Sequence, residues 1–173
     1  MGDPGPRAGE ETPRVGERQG WRPLGWAELK DIVRDGSEAA LARLGRAPDV
    51  QARYVEHLGW VHATYDSVES FILEAKLGFA AASKPGGKLS VAMGEGLGEK
   101  TATVLNDFGY WFTAPEIKHY LHWSTTELGA AAVEAAAREV AAGKEYLVFV
   151  NPAALKSVRG VWHAHVLVKE AAS

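Results

Sequence analysis

The 173-residue chain contains no cysteine. That absence excludes disulfides, thiolate metal sites and a cysteine nucleophile, and it fits a reducing compartment. No apolar run approaches the ~18 residues needed to cross a bilayer, and the N-terminus lacks the apolar core of a secretory signal. The chain therefore reads most simply as cytoplasmic, with no membrane partner. An excess of charge is missing too: 22 acidic residues against 19 basic ones leave a net charge of −3. There is no general electrostatic drive toward nucleic acid, although a localised phosphate site is compatible with this balance.

What the chain does have is enough apolar content, 46%, for one compact domain with a real core. Residues 1–20 hold three prolines and five glycines, with Val15 the one sizeable apolar side chain besides Met1. Such a segment cannot offset the entropy of ordering, so it reads as a disordered tail before a single domain over 21–173. Residues 21–79 read as helical. Trp26, Leu29, Ile32 and Val33 form a first stripe closed by Asp35-Gly36, and Ser37 caps a short second helix. Pro48-Asp49 opens a third helix with Tyr54, Leu58 and Val61 on one face, and Ser67 caps a fourth. His57 and His62 lie off the apolar face of the third helix and read as solvated or helix-supporting, with no chemical role. The helices read as a scaffold or a lid.

Residues 80–100 are rich in glycine and lysine but lack the G-K-[ST] ending of a phosphate loop, so they read as a flexible connection, long enough to cover a site. Over 101–169 the pattern changes. Residues 101–106, 117–123, 145–150 and 161–168 read as strands. Ser124-Thr-Thr-Glu127 has the form of a capping box before an alanine-rich helix. The order β-β-α-β-β implies an α+β fold: N-terminal helices followed by an antiparallel sheet with a packed helix.

The last strand carries the chemistry. A period of two puts His163 and His165 on one face and Trp162, Ala164, Val166 and Val168 on the other. The second face is wholly apolar and is expected to be buried. The two imidazoles then project together to the opposite side, about 7 Å apart along the chain at ~3.3 Å per residue. Two side chains titrating near neutrality on a rigid element suit proton transfer, nucleophilic attack or metal ligation. A face whose histidines are simply satisfied by neighbours is the alternative.

Further motifs surround this strand: Asn106-Asp107-x-x-Tyr110, Ile117-x-His119-x-x-x-Trp123-Ser124, then Asn151, Leu155, Ser157-Val158 and His163-x-His165-Val166. Together with Trp26-x-Glu28-Leu29 and Tyr65-x-Ser67-Val68, they resemble the N-acetylglucosamine-induced protein family across most of residues 24–169. Where that family's loop usually reads Asn-Asp-Trp-Pro-Tyr, this chain has Phe108-Gly109 in the middle. More distantly, the motif order is similar to that of the histidine-triad nucleotide hydrolases and transferases. That resemblance implies a HIT-like sheet and a strand histidine that attacks the α-phosphorus of a nucleotide. If the last two triad positions match His163 and His165, the first falls on Val161 and His163 is the nucleophile. In the other register His165 is the nucleophile and Leu167 replaces the third histidine. The first register keeps Ser157-Val158 closer to the superfamily's spacing.

These readings lead to a small-molecule enzyme as the first expectation, acting by phosphoryl or nucleotidyl transfer or hydrolysis on a nucleotide or sugar phosphate. His163 is the nucleophile, His165 the proton donor to the leaving group, and His119 the orienting or substrate-contacting residue. Asn106, Asp107, Tyr110, Trp123, Asn151, Ser157 and Arg159 are expected to bind substrate. Lys156 joins Arg159 on the phosphoryl oxygens, and Trp111 and Phe112 are available for stacking. No cofactor is needed. Two other readings stay open. In one, His119, His163 and His165 converge on zinc or iron with Asp107 close by. In the other, the protein is a non-catalytic binder of a sugar or nucleotide. The oligomeric state is not legible.

Overall fold

The computed structural model describes residues 21–92, 94 and 96–171; the expected tail lies outside them. Helices α1 (Trp26–Asp35), α2 (Glu38–Leu41), α3 (Pro48–Thr64) and α4 (Val68–Ala75) come first. A small hairpin of β1 (Ala82–Ser83) and β2 (Leu89–Ser90) follows. Then come β3 (Thr101–Leu105), β4 (Ile117–Ser124), α5 (Ala130–Ala141), β5 (Glu145–Phe149) and β6 (Trp162–Lys169). The last four strands form one antiparallel sheet in the order β3-β4-β6-β5, so the fold is α+β with mixed helices and antiparallel strands.

The local signals for the helix ends largely hold. Gly36 stops α1 in the left-handed region at φ 64°, where a side chain would be strained. The Ser37 and Ser67 hydroxyls accept from the Ala40 and Ser70 amides at 3.2 and 3.1 Å, and Pro48 opens α3. The expected capping box at Ser124 does not form. Ser124 Oγ accepts from the Thr126 amide at 3.2 Å, which makes a local turn, and α5 begins only after Gly129. Ser124 still belongs to β4, opposite Trp162, so its backbone is committed to the sheet before any helix can start. Within residues 80–100 the chain makes the β1–β2 hairpin, turned by Gly86 and Gly87 at φ 99° and 85°, where a connection without strands was expected.

Strand β6 is central and covered on both faces. Val166 and Val168 pack on Ala137 and Ala141 of α5. On the opposite face Leu167 lies in a core with Leu29 and Ile32 of α1, Leu41 of α2 and Ile117 of β4. Burying each such aliphatic side chain contributes about 1.5–3 kcal/mol. The aromatic segment after β3 is stitched to the N-terminal part of the chain. Leu24 donates to the Trp111 carbonyl and accepts from Thr113, both at 3.1 Å, and the Trp111 amide donates to Gly45 O at 2.8 Å. A Cβ at Gly45 would lie 1.9 Å from the Trp21 ring, so only glycine fits there.

Val166→Asp is expected to abolish folding, because an unpaired carboxylate against Ala137 and Ala141 costs several kcal/mol or more. Circular dichroism of the purified variant checks this, and a soluble, cooperatively melting protein would contradict the packing described.

Candidate functional site

The register of β4 against β6 sets Trp123 opposite His163, Leu121 opposite His165 and His119 opposite Leu167. His119 and His165 are therefore diagonal neighbours on one face, within reach of side chains of this length. All three histidines are buried. His119 Nε2 lies 2.9 Å from His165 Nδ1, and the His163 and His165 ring centroids are 5.3 Å apart.

Their tautomers follow from one fixed donor. The backbone N–H of Tyr110 can only donate, and it meets His119 Nδ1 at 3.2 Å. The proton of neutral His119 must then sit on Nε2, which donates to His165 Nδ1. His165 in turn carries its proton on Nε2, 3.0 Å from the Asn151 side-chain amide. Two donors cannot share that contact, so the Asn151 amide must present Oδ1 there, in the orientation that the hydrogen-bond network requires. The same oxygen can then accept from the Tyr110 hydroxyl, 3.2 Å away. The His165 ring is held between Phe149 at 4.9 Å and Tyr110 at 5.5 Å, both nearly parallel to it.

His163 differs. Its Nδ1 faces the Val161 carbonyl at 3.2 Å, an acceptor, so Nδ1 carries the proton and Nε2 keeps a lone pair with no hydrogen-bond partner among the described residues. Burial pushes the pKa of all three rings below the ordinary histidine value, that of His119 to about 3 and that of His165 well down. The nearby Arg46 cation adds to the effect on His119 and His165.

His163 and His165 line a cavity of about 80 Å³ between the sheet and helices α3 and α4. Its wall is largely apolar, with Leu58, Val61, Ile72, Leu121, Trp123 and Val158 among its residues. Asn106, Asp107 and Ser157 also line it. Tyr110, His119 and Asn151 do not; they stand behind His165 as its hydrogen-bonding and stacking support. Arg159 is exposed and outside the wall; Trp111 and Phe112, both half-buried, lie outside it too. Lys156 is also outside the wall, although its charge helps to lower the pKa of His163. None of the described residues from 80 to 100 covers the cavity.

Several wall residues come from the helices that the sequence presents as scaffold. Arg46 lines the cavity from the loop before α3, and Lys76, at the end of α4, pairs with Asp107 at 2.9 Å. His57, read as solvated or helix-supporting, is half-buried and packs on Phe71 and Phe108 at 5.2 and 5.1 Å. The sequence holds one weak signal for this group, a lone arginine directly after the apolar Leu44-Gly45 and just before a helix-opening proline.

Both nitrogens of His119 and both of His165 are engaged in the buried chain, and Asp107 is paired with Lys76. Among the described residues no group of three or more histidine, aspartate or glutamate side chains is arranged to hold a metal ion. Among those residues, too, no helix is long and apolar enough to cross a membrane.

Residues 25–169 match the family described as Protein of unknown function (DUF3605), and the chain belongs to that family. Uncharacterized protein YPL067C of Saccharomyces cerevisiae (strain ATCC 204508 / S288c) is 29% identical over 172 residues, covering 88% of this chain and 80% of its own. The crystal structure of HTC1 matches with a TM-score of 0.56 at 24% identity, over 87% of this chain and 85% of that one. The latter is a likeness of fold alone.

The depressed pKa of His119 makes stability pH-dependent. Below the unfolded value of about 6.5 the unfolded chain binds a proton that native His119 refuses down to about 3, so its contribution is lost as pH falls through that window. Between pH 6.5 and 4.5, His119→Gln should lose about 2–3 kcal/mol less stability than the unaltered protein, at about 1.4 kcal/mol per pH unit. Urea unfolding at both pH values measures this, and equal losses would contradict a buried neutral His119.

Proposed function

We propose that the protein is a small-molecule enzyme whose reactive atom is Nε2 of His163, and that it transfers or hydrolyses a phosphate-linked substrate. The observation that carries this reading is the 3.2 Å contact of His163 Nδ1 with the Val161 carbonyl, from which the tautomer is assigned. A carbonyl holds the proton on Nδ1, burial keeps the ring neutral, and the lone pair on Nε2 is left free in a cavity. A neutral imidazole so placed is a competent nucleophile at pH 7.

The lone pair would attack phosphorus. The bond to the leaving oxygen breaks with its electron pair, and that oxygen takes a proton from water. A second water then adds to phosphorus, gives its proton to the hydroxide left by the first and breaks the P–N bond, whose electron pair returns to Nε2 of the neutral imidazole. His165 has both nitrogens occupied, so its part is to hold position beside His163 through the chain from His119 to Asn151, and not to protonate the leaving group. The resemblance to N-acetylglucosamine-induced proteins makes amino-sugar phosphates the first substrates to test. The resemblance to histidine-triad enzymes rests on motif order, and this reading does not depend on it. The largely apolar wall favours a second reading, a binder of small molecules without catalysis.

The test uses His163→Asn, whose side-chain amide can still donate to the Val161 carbonyl while Nε2 is removed. Against a panel of nucleotides and sugar phosphates, any turnover should fall by about 10²–10⁴-fold in this variant with the fold retained. Mass spectrometry of the acid-labile adduct should locate it on the peptide containing His163. The acid limb of the rate profile should lie below pH 6.5, because the ring's pKa is lowered. Turnover that survives the substitution would rule out His163 as the nucleophile, and ligand binding with no turnover on any member of the panel would favour the binder.

A further inference from the structure

The cavity holds a cation that the histidine chemistry does not use. Arg46 Nε donates to the Phe108 carbonyl at 2.9 Å and Nη1 donates to Gln51 Oε1 at 3.3 Å, while the guanidinium carbon lies 3.9 Å from the centre of the Tyr54 ring. None of these partners is negatively charged at neutral pH. Among the described residues no carboxylate pairs with Arg46, and its Nη2 has no hydrogen-bond partner. A guanidinium stays charged at every physiological pH, and withdrawing it from water with no opposing charge is costly. The cost is recovered when an anion arrives.

A second donor points the same way. Trp123 is 3% exposed and lines the same cavity, and its indole N–H is buried with no acceptor. The charged lining residues are two cations, Arg46 and Lys76, against one carboxylate, Asp107. The cavity is thus net positive in a chain of net charge −3.

We infer that this cavity binds a small organic phosphate, with its phosphate group on the open edge of the Arg46 guanidinium and Lys76 beside it, and a ring-sized apolar body against the wall. A planar fork suits the bidentate grip of a phosphate, and the tyrosine ring under it keeps the fork in place. The rest of a larger ligand would extend through the mouth. This deepens the reading of the cavity as a small-molecule site and rests on it.

Phenyl phosphate, phenol and benzoate serve as probes in calorimetry or indole fluorescence titrations. The unaltered protein should bind phenyl phosphate at least about tenfold more tightly than phenol, one charge-assisted contact being enough for that ratio. R46M, checked by its melting temperature, should lose that preference while its affinity for phenol stays within about threefold. Phenyl phosphate bound by the unaltered protein and lost in R46M, with no turnover of it by either, would support the anion site without His163 chemistry, which separates this inference from the enzymatic one. No preference for phenyl phosphate in the unaltered protein, or a folded R46M that keeps it, would overturn the anion site while leaving His163 chemistry standing. Equal affinity for benzoate would overturn the commitment to phosphate. Should R46M fail to fold, R46K keeps the charge without the fork, and its phenyl phosphate affinity should drop about three- to tenfold with the preference over phenol preserved. Unchanged affinity in R46K would overturn the proposal as well.

Discussion

The backbone N–H of Tyr110 is the contact on which the polarity of the site depends. It is a donor that cannot be reversed, and it meets Nδ1 of the buried His119. From that one contact the protons on His119 and His165 and the orientation of Asn151 follow in turn. The result is a rigid, uncharged wall behind His163. The contact itself needs the loop from Asn106 to Tyr110 in its present shape. Asn106 Oδ1 accepts from the Phe108 amide at 3.0 Å, and Arg46 holds the Phe108 carbonyl from the other side. Gly109 lies over the His119 ring, where an added Cβ would sit 3.5 Å from that residue's own Cβ.

Burial of β6 on both faces explains why such a chain is required. A sheet with one solvated face would leave its histidines free to titrate and to bond with water. Here α5 covers one face and the N-terminal helices the other, so each imidazole must be neutral and nearly every polar atom must find a partner within the protein. His163 is the exception among the three, since only one of its nitrogens is satisfied. An unsatisfied lone pair at the edge of a cavity is the kind of local departure from good packing that functional sites show.

The alternation in residues 161–168 made the strand, its apolar face and the common face of the two histidines legible, because a period of two admits one assignment once four apolar residues fall on one side. Helix ends at Gly36, Ser37, Pro48 and Ser67 were legible for equally local reasons. The contribution of Arg46, Lys76 and His57 was not, because it depends on how α3 and α4 dock on the sheet, and no periodicity within those helices encodes that. The expected pocket also proved to be two layers. His119, Tyr110 and Asn151 carry motif residues but stand behind His165, and a motif specifies order along the chain without saying which side chain comes first from the cavity. Arg159 was grouped with the site through nearness in sequence, yet the turn before β6 leaves it in solvent.

The most direct measurement is the protonation state of each histidine by long-range ¹H–¹⁵N correlation NMR across pH 5 to 8, with assignments from single His→Gln variants. His163 should carry its proton on Nδ1 and leave Nε2 bare, His119 and His165 should carry theirs on Nε2, and neither of those two should titrate in this range. A His163 protonated on Nε2, or held as the imidazolium at pH 7, would contradict it, because no lone pair would then face the cavity.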